Sequence, residues 1–320
     1  KNKKLITLYY LILIFFFNVT AIAEKINYSS NTIKILENGK IISGEGDVQI
    51  LIGENIFINS EKFEYNKESG LYKIFKNVQF KDKINNIKAT GSEFILSEFD
   101  NKILSKTKSK IIYNKTYYID LNNFEYDIKS QKISSDDYVI IRDNINNYFE
   151  LYELLIDLKT NNFLGKEIKF IDNQQNKYFL NEVVINTNND QIYGKEIKFL
   201  DNQQNKYLLN EVMINTNNDN LYGKDLNIEF NKSLFGNNNN DPRLKAKSVK
   251  IKEQSSFLRK GVFTSCSKDN DCPPWSMYAE EIEHDKIEQT IKYKNAWLNI
   301  YDIPIVYFPR FSHPDPTVKR

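Results

Sequence analysis

The chain is 320 residues long, with 44 lysines and arginines, 42 aspartates and glutamates, and only two histidines. A net charge of +2 gives no electrostatic case for nucleic acid, and no Gly-rich phosphate loop or paired nucleophile and base marks an enzyme. Six alanines against 20 tyrosines and 21 phenylalanines weight the composition towards strands rather than helices.

Residues 1–23 read as an export signal: Lys1, Lys3 and Lys4 precede an apolar run from Leu5 to Phe17, and Ala21-Ile22-Ala23 supplies the small residues of a cleavage site. A membrane anchor is the competing reading, but the apolar run is shorter than the roughly 20 residues a spanning helix needs. The mature chain is expected to begin at Glu24 and to be exported. The stretch from Ile26 to Leu36, with alternating Ile33 and Ile35, reads as an edge strand open to a partner, or as a frayed terminus.

From Gly44 onward apolar and polar residues alternate in short runs broken by Asn, Asp, Gly and Lys, the pattern of half-buried strands. Examples are SGEGDVQI at 43–50, INSEKFEY at 58–65, KNVQF at 76–80 and IKATGSEFIL at 87–96. No helical pattern intervenes, which excludes parallel α/β folds and predicts an all-β architecture. Residues 165–193 recur at 194–222 with 24 of 29 positions identical, and a third copy starts at Gly223 before diverging. Each unit offers a strand around Ile168 and Phe170, a turn at 172–176 and a longer strand through Val183 and Ile185, two strands making one rung. A duplication of this size is tolerated where each rung touches only its neighbours, so a stacked β-jelly roll over 24–240 is expected. Glycines 44, 46, 91, 165, 194 and 223 are expected at rung corners, through positive φ or close backbone approach.

No proline occurs before Pro242, and a second region, 241–320, holds both cysteines and both tryptophans. It reads as a cysteine turn, a hairpin pairing Tyr278–His284 with Ile291–Ile300, and a proline-spaced ending. In an exported chain Cys266 and Cys272 point to a disulfide. Zinc held by these cysteines with His284 and His313 matches no standard spacing, so no metal is expected. His313, before Pro314, reads as a turn residue, and the pairs Glu280-Glu281 and Asp136-Asp137 as solvated strand faces.

The last sixty residues, GVFTSCSKDNDCPPWSMYAEEIEHDKIEQTIKYKNAWLNIYDIPIVYFPRFSHPDPTVKR, carry the one specific resemblance. Cys266, Cys272, Trp275, Ala279, Ile282, Asp285, Tyr293, Ala296, Pro304, Tyr307, Pro309, His313, Pro314, Asp315, Pro316 and Arg320 match the pattern of the lipopolysaccharide-assembly family of LptD, also called OstA or Imp. There the segment joins a periplasmic domain to an outer-membrane β-barrel. The earlier repeats resemble, at the level of pattern, the OstA-type jelly-roll repeat of that family. The resemblance implies an OstA-type β-jelly roll leading to the start of a barrel that this sequence, ending at Arg320, does not contain. It implies a non-enzymatic role without cofactor, in which lipid A acyl chains pass through an apolar groove while sugars stay outside. Candidate lining residues are Phe63, Tyr65, Val78, Phe80, Ile168, Phe170, Val183, Ile185, Ile197, Phe199, Val212 and Ile214; filling a plain core is the competing role for each. Implied partners are lipopolysaccharide, a periplasmic jelly-roll bridge protein adding a strand at Ile33 and Ile35, and an outer-membrane lipoprotein plug where a barrel is present. The implied location is the periplasmic face of the outer membrane. Family cysteines tie this region to the barrel, which implies here a link between Cys266 and Cys272. A soluble bridge protein without a barrel, and a structural β protein without a groove, are the alternatives.

Overall fold

The computed structural model describes residues 25–172, 177–189, 191–201, 203–215, 217–218, 220–232, 240–252, 254–268 and 274–314. The expected export signal at 1–23 lies outside them. The described residues form one sheet of 23 strands in which each pairing is antiparallel, together with one short 3-10 turn at Glu37–Gly39, so the all-β expectation holds. None of their helices is long and apolar enough to cross a membrane.

The strands are β1 (Ile26–Ser29), β2 (Thr32–Leu36), β3 (Ile41–Ile52), β4 (Ile56–Asn66), β5 (Leu71–Asp82), β6 (Ile87–Ser97), β7 (Lys102–Ser105), β8 (Ser109–Tyr113), β9 (Tyr117–Leu121), β10 (Phe124–Asp127), β11 (Lys132–Ser135) and β12 (Val139–Arg142). They continue as β13 (Tyr148–Asp157), β14 (Asn162–Ile171), β15 (Lys177–Asn186), β16 (Gln191–Leu200), β17 (Lys206–Asn215), β18 (Asn220–Glu229), β19 (Arg243–Ile251), β20 (Ser255–Thr264), β21 (Trp275–Asp285), β22 (Thr290–Ile300) and β23 (Ile303–Pro314).

Each long strand is a rung that bends in its middle. Four rungs break fully at the bend, giving the half-strand pairs β1/β2, β7/β8, β9/β10 and β11/β12. Half of every rung therefore pairs in an upper half-sheet and half in a lower one. β8, β9, β12 and the first half of β13 run through the upper half-sheet, whereas β7, β10, β11 and the second half of β13 run through the lower. The two half-sheets enclose a single apolar core.

The bend is made by residues in the left-handed region, among them Glu153 (φ 54), Glu167 (φ 50), Glu196 (φ 51) and Asp225 (φ 51). This corrects the role expected for the repeat glycines. Gly165, Gly194 and Gly223 have no positive φ; the acidic residue two positions later turns the chain, and the glycine makes room. A Cβ on Gly223 would lie 2.1 Å from Leu209 Cδ2, and one on Gly44 would lie 2.2 Å from the Phe63 ring. Of the six glycines, Gly46 takes positive φ (φ 78), as the first expected reason has it; at the other five, close approach is the operative one.

The 29-residue repeat also resolves differently from expectation. Its two strands, β14 and β15, are two complete bent rungs, not the halves of one. A diverged copy precedes it: Asp143 accepts from the Asn147 backbone N–H (2.9 Å) and side-chain amide (2.8 Å), as Asp201 does from Asn205 (2.8 Å for both), 58 positions later. β18 pairs with β19 across the composition change near 241, so both sequence regions share one ladder. The expected hairpin is present as β21 and β22.

Candidate functional site

Because alternate residues point inward and the strands are in register, inward side chains align into rows that cross the rungs. Of the expected lining residues, Phe63, Val78, Phe80, Ile168, Phe170, Val183, Ile185, Ile197, Val212 and Ile214 are buried; Tyr65 and Phe199 are half-buried and packed against the same core. The structure thus brings all of them to one interior. Phe63, Tyr65, Val183, Ile185, Val212 and Ile214 stand on the lower half-sheet, and the others on the upper.

Towards the N-terminus, bulky groups on the two half-sheets meet across the interior. Tyr28 on the upper side touches Phe63 and Tyr72 on the lower, with ring centroids 5.1 and 6.2 Å apart. Phe80 meets Tyr126 at 5.8 Å, and Tyr117 meets Phe163 at 5.1 Å. Polar bonds accompany these contacts. The Tyr126 hydroxyl donates to buried Asp82 Oδ2 (2.6 Å), which also accepts from the Asn85 amide (2.8 Å), and the Tyr113 hydroxyl donates to Asn161 Oδ1. Tyr65 stacks on Tyr72 at 4.0 Å and donates to Glu98 Oε2 (2.7 Å); burial first, then Glu98, pushes its phenol up to about 12. Burial likewise raises Tyr72 and Tyr113.

Farther along, the aromatic rings collect on one side. Phe149, Phe170, Tyr178, Phe199 and Tyr207 occupy directly opposed positions on five successive rungs of the upper half-sheet, with centroid spacings of 4.6, 5.1, 4.6 and 4.8 Å. The lower half-sheet presents an aliphatic row of Ile185, Ile192, Ile214, Leu221 and Ile251. Tyr178 and Tyr207 each donate to the aspartate of their own turn, Asp172 and Asp201, at 3.0 Å.

At the N-terminal mouth Ile33 and Ile35 face the same side as buried Gly44 and Ile42, yet are 49% and 70% exposed because no rung lies beyond them among the described residues. β1 and β2 pair there with β3 alone. At the other mouth β23 pairs with β22, and apolar residues occupy both faces of these rungs: Trp297 and Tyr307 on one, Leu298 and Val306 on the other. Outside the tube, at the bend of the lower half-sheet, a cleft of about 1260 Å³ is lined by Leu155, Leu164, Val184 and Tyr193 beside the ion pairs Lys166–Glu153 (2.5 Å) and Lys195–Glu182 (3.2 Å).

Cys266 is half-buried, its Sγ 3.7 Å from the Trp275 carbonyl oxygen and its own carbonyl accepting from Arg243 (2.6 Å); Cys272 lies outside the described residues. His313 bonds the Tyr293 hydroxyl (3.0 Å) from within β23, in place of the expected turn. No cluster of three His, Cys, Asp or Glu suited to a metal occurs among the described residues. The interior supplies apolar surface and few directional donors, which suits hydrocarbon better than a polar ligand. Reading the sequence missed Asp82, Tyr113, Tyr126 and Asn161, whose roles arise from contacts between distant rungs, and Tyr178 and Tyr207, whose recurrence 29 positions apart was a usable signal.

No protein-family model matches the chain. Its sequence is 34% identical over 68 residues to the LPS-assembly protein LptD of Yersinia pestis, a match covering 21% of this chain and 8% of that protein. It is 30% identical over 79 residues to the LPS-assembly protein LptD of Idiomarina loihiensis, covering 24% and 10% respectively. The matched segments thus span about a tenth of the length of these relatives. Among solved structures, LptH of Pseudomonas aeruginosa, the LptA homologous periplasmic component of a lipopolysaccharide transport device, aligns with 34% of this chain and 80% of its own at 13% identity and a TM-score of 0.31, too low a score to add to the strand pairing itself. The chain therefore has a distant and partial sequence similarity to LptD.

Proposed function

We propose that this chain carries the acyl part of lipopolysaccharide through its apolar interior, as an LptD-like component of transport to the outer membrane. The observation that carries this reading is the single apolar core running through the whole ladder, with inward residues left uncovered at the N-terminal mouth. Moving a CH₂ from water into such an interior gains about 0.8 kcal/mol, so a twelve-carbon chain gains on the order of 10 kcal/mol without directional bonds that would stop it sliding. The distant similarity to LptD supports the same reading.

In this reading the free edge of β1 and β2 receives a strand from a periplasmic jelly-roll partner. The apolar residues on both faces of β22 and β23 favour a junction covered on both sides over a soluble bridge protein, because a sheet apolar on both faces is one that is buried on both. Where a barrel follows, a lipoprotein plug is a further partner. Export to the periplasmic face of the outer membrane and a link between Cys266 and Cys272 belong to the same proposal; mass spectrometry of non-reduced, alkylated protein finds that link, or two free thiols that contradict it.

The interior is tested by photo-crosslinking. Probes at Ile185 or Phe199 should label lipopolysaccharide, whereas probes at outward Lys169 and Glu182 should not. Equal labelling of both sets, or none of either, removes the reading.

A further inference from the structure

The interior is continuous, but its walls differ along its length. In the rungs up to β14, rings stand on both half-sheets and meet: Tyr28 with Tyr72, Phe80 with Tyr126, Tyr117 with Phe163. In each of these pairs the lower residue lies three rungs further along than the upper, while the flanking contacts Tyr28–Phe63 and Tyr113–Phe163 span two and four. Two hydrogen bonds, Tyr126 to Asp82 and Tyr113 to Asn161, span the same space. Ile58, Phe63, Ile74, Phe94 and Ile103 are 0% exposed there.

Over β15–β20 the inward rings stand on the upper wall alone and face isoleucine and leucine; rings return to the lower wall with Tyr293 and Phe311 on β22 and β23. Phe199 and Tyr207 are half-buried, and Ile214, Leu221, Ile228 and Leu244 are each 6–7% exposed. Because rings on one wall and branched aliphatics on the other reach less far across than rings on both, this segment is the less completely filled of the two at these positions.

We propose that the interior is divided into a latched N-terminal segment and an open one over β15–β20, and that hydrocarbon rests in the open segment, entering the latched one only when the Tyr126–Asp82 and Tyr113–Asn161 bonds part. The inference rests on the apolar interior as a lipid-chain site and adds where the chain resides and what gates its passage. The phenols suit a latch because each gives its hydroxyl proton to a partner on the opposite half-sheet, a bond that holds the ring across the interior and whose loss leaves the ring free to turn aside.

The test uses the full chain and a sixteen-carbon fatty acid carrying a diazirine, with labelled peptides mapped by mass spectrometry. In the parent, label should fall on peptides from β15–β20 and be at least fivefold weaker on those from β3–β13. In the Tyr113→Phe/Tyr126→Phe double variant, label on β3–β13 should rise to within twofold of the open segment. The parent circular dichroism spectrum confirms the variant's fold, and Tyr126→Phe alone serves should the pair fail to fold. Equal label in both segments of the parent overturns the division while leaving the lipid site standing. Label confined to β15–β20 in parent and variants alike overturns the latch. Absence of label everywhere overturns the lipid site and the division with it.

Discussion

The rungs before and after β14 share one ladder, one bend and one apolar core, yet close their interior by different means. Before it, Tyr28, Phe80 and Tyr117 reach rings on the opposite half-sheet, and buried Asp82 is satisfied by donors that include a tyrosine from the other side. After it, rings stack along the upper half-sheet at spacings near the separation of the strands themselves. In the first case closure comes from contacts across the tube. In the second, cohesion of the rings runs along it. Stacking rungs can therefore be held across the tube or along it on the same backbone, according to which wall carries the rings.

The comparison breaks most readily at single rings. Phe163→Ala removes a 1% exposed ring that touches Tyr113 and Tyr117 on the other half-sheet, and should cost about 3–5 kcal/mol. Half-buried Phe199→Ala should cost less than about 3 kcal/mol, because its ring is already partly exposed and less surface is lost from the core. Equal losses in urea unfolding would erase the distinction.

Glycines give the next effect. Gly44→Ala sets a Cβ 2.2 Å from a fully buried Phe63 ring that cannot swing away, and should cost about 1–3 kcal/mol. Gly194→Ala meets the end of Leu180, at 2.7 Å, whose side chain can turn into the roomier segment, so a loss below about 1 kcal/mol is expected by the same measurement.

Alkaline titration should give a smaller change. Burial holds the phenols of Tyr65, Tyr148 and Tyr293 up to about 12, so the folded state favours their neutral form. That stability is whole below pH ~10, where unfolded tyrosines ionise, and is lost as pH rises through about 12. Melting temperature should be level up to pH ~10 and fall above it; a level profile through pH ~12 would contradict the burial. The smallest effect is expected from deleting 194–222. Two whole rungs leave, β15 meets the equivalent of its old neighbour, and the product should fold with a melting temperature within a few degrees of the parent. A non-folding product would contradict the stacking.

Much of this was legible in the sequence because strand alternation and the 29-residue repeat are local signals. They place Ile168, Phe170, Val183 and Ile185 inward without knowledge of any distant contact. The bend was misread, because a glycine such as Gly165 suggests positive φ, whereas Glu167 takes it and the glycine yields space to Leu151. The latch was not legible at all. Asp82 and Tyr126 lie 44 residues apart, and their pairing follows from a three-rung offset between the half-sheets that no single rung encodes.

Native-state hydrogen exchange, read peptide by peptide with and without lipopolysaccharide, tests the division most directly. The account predicts slowest exchange over β3–β13, faster exchange over β15–β20, and lipid-dependent slowing confined to β15–β20. Uniform exchange along the ladder, or slowing by lipid concentrated in β3–β13, would contradict it.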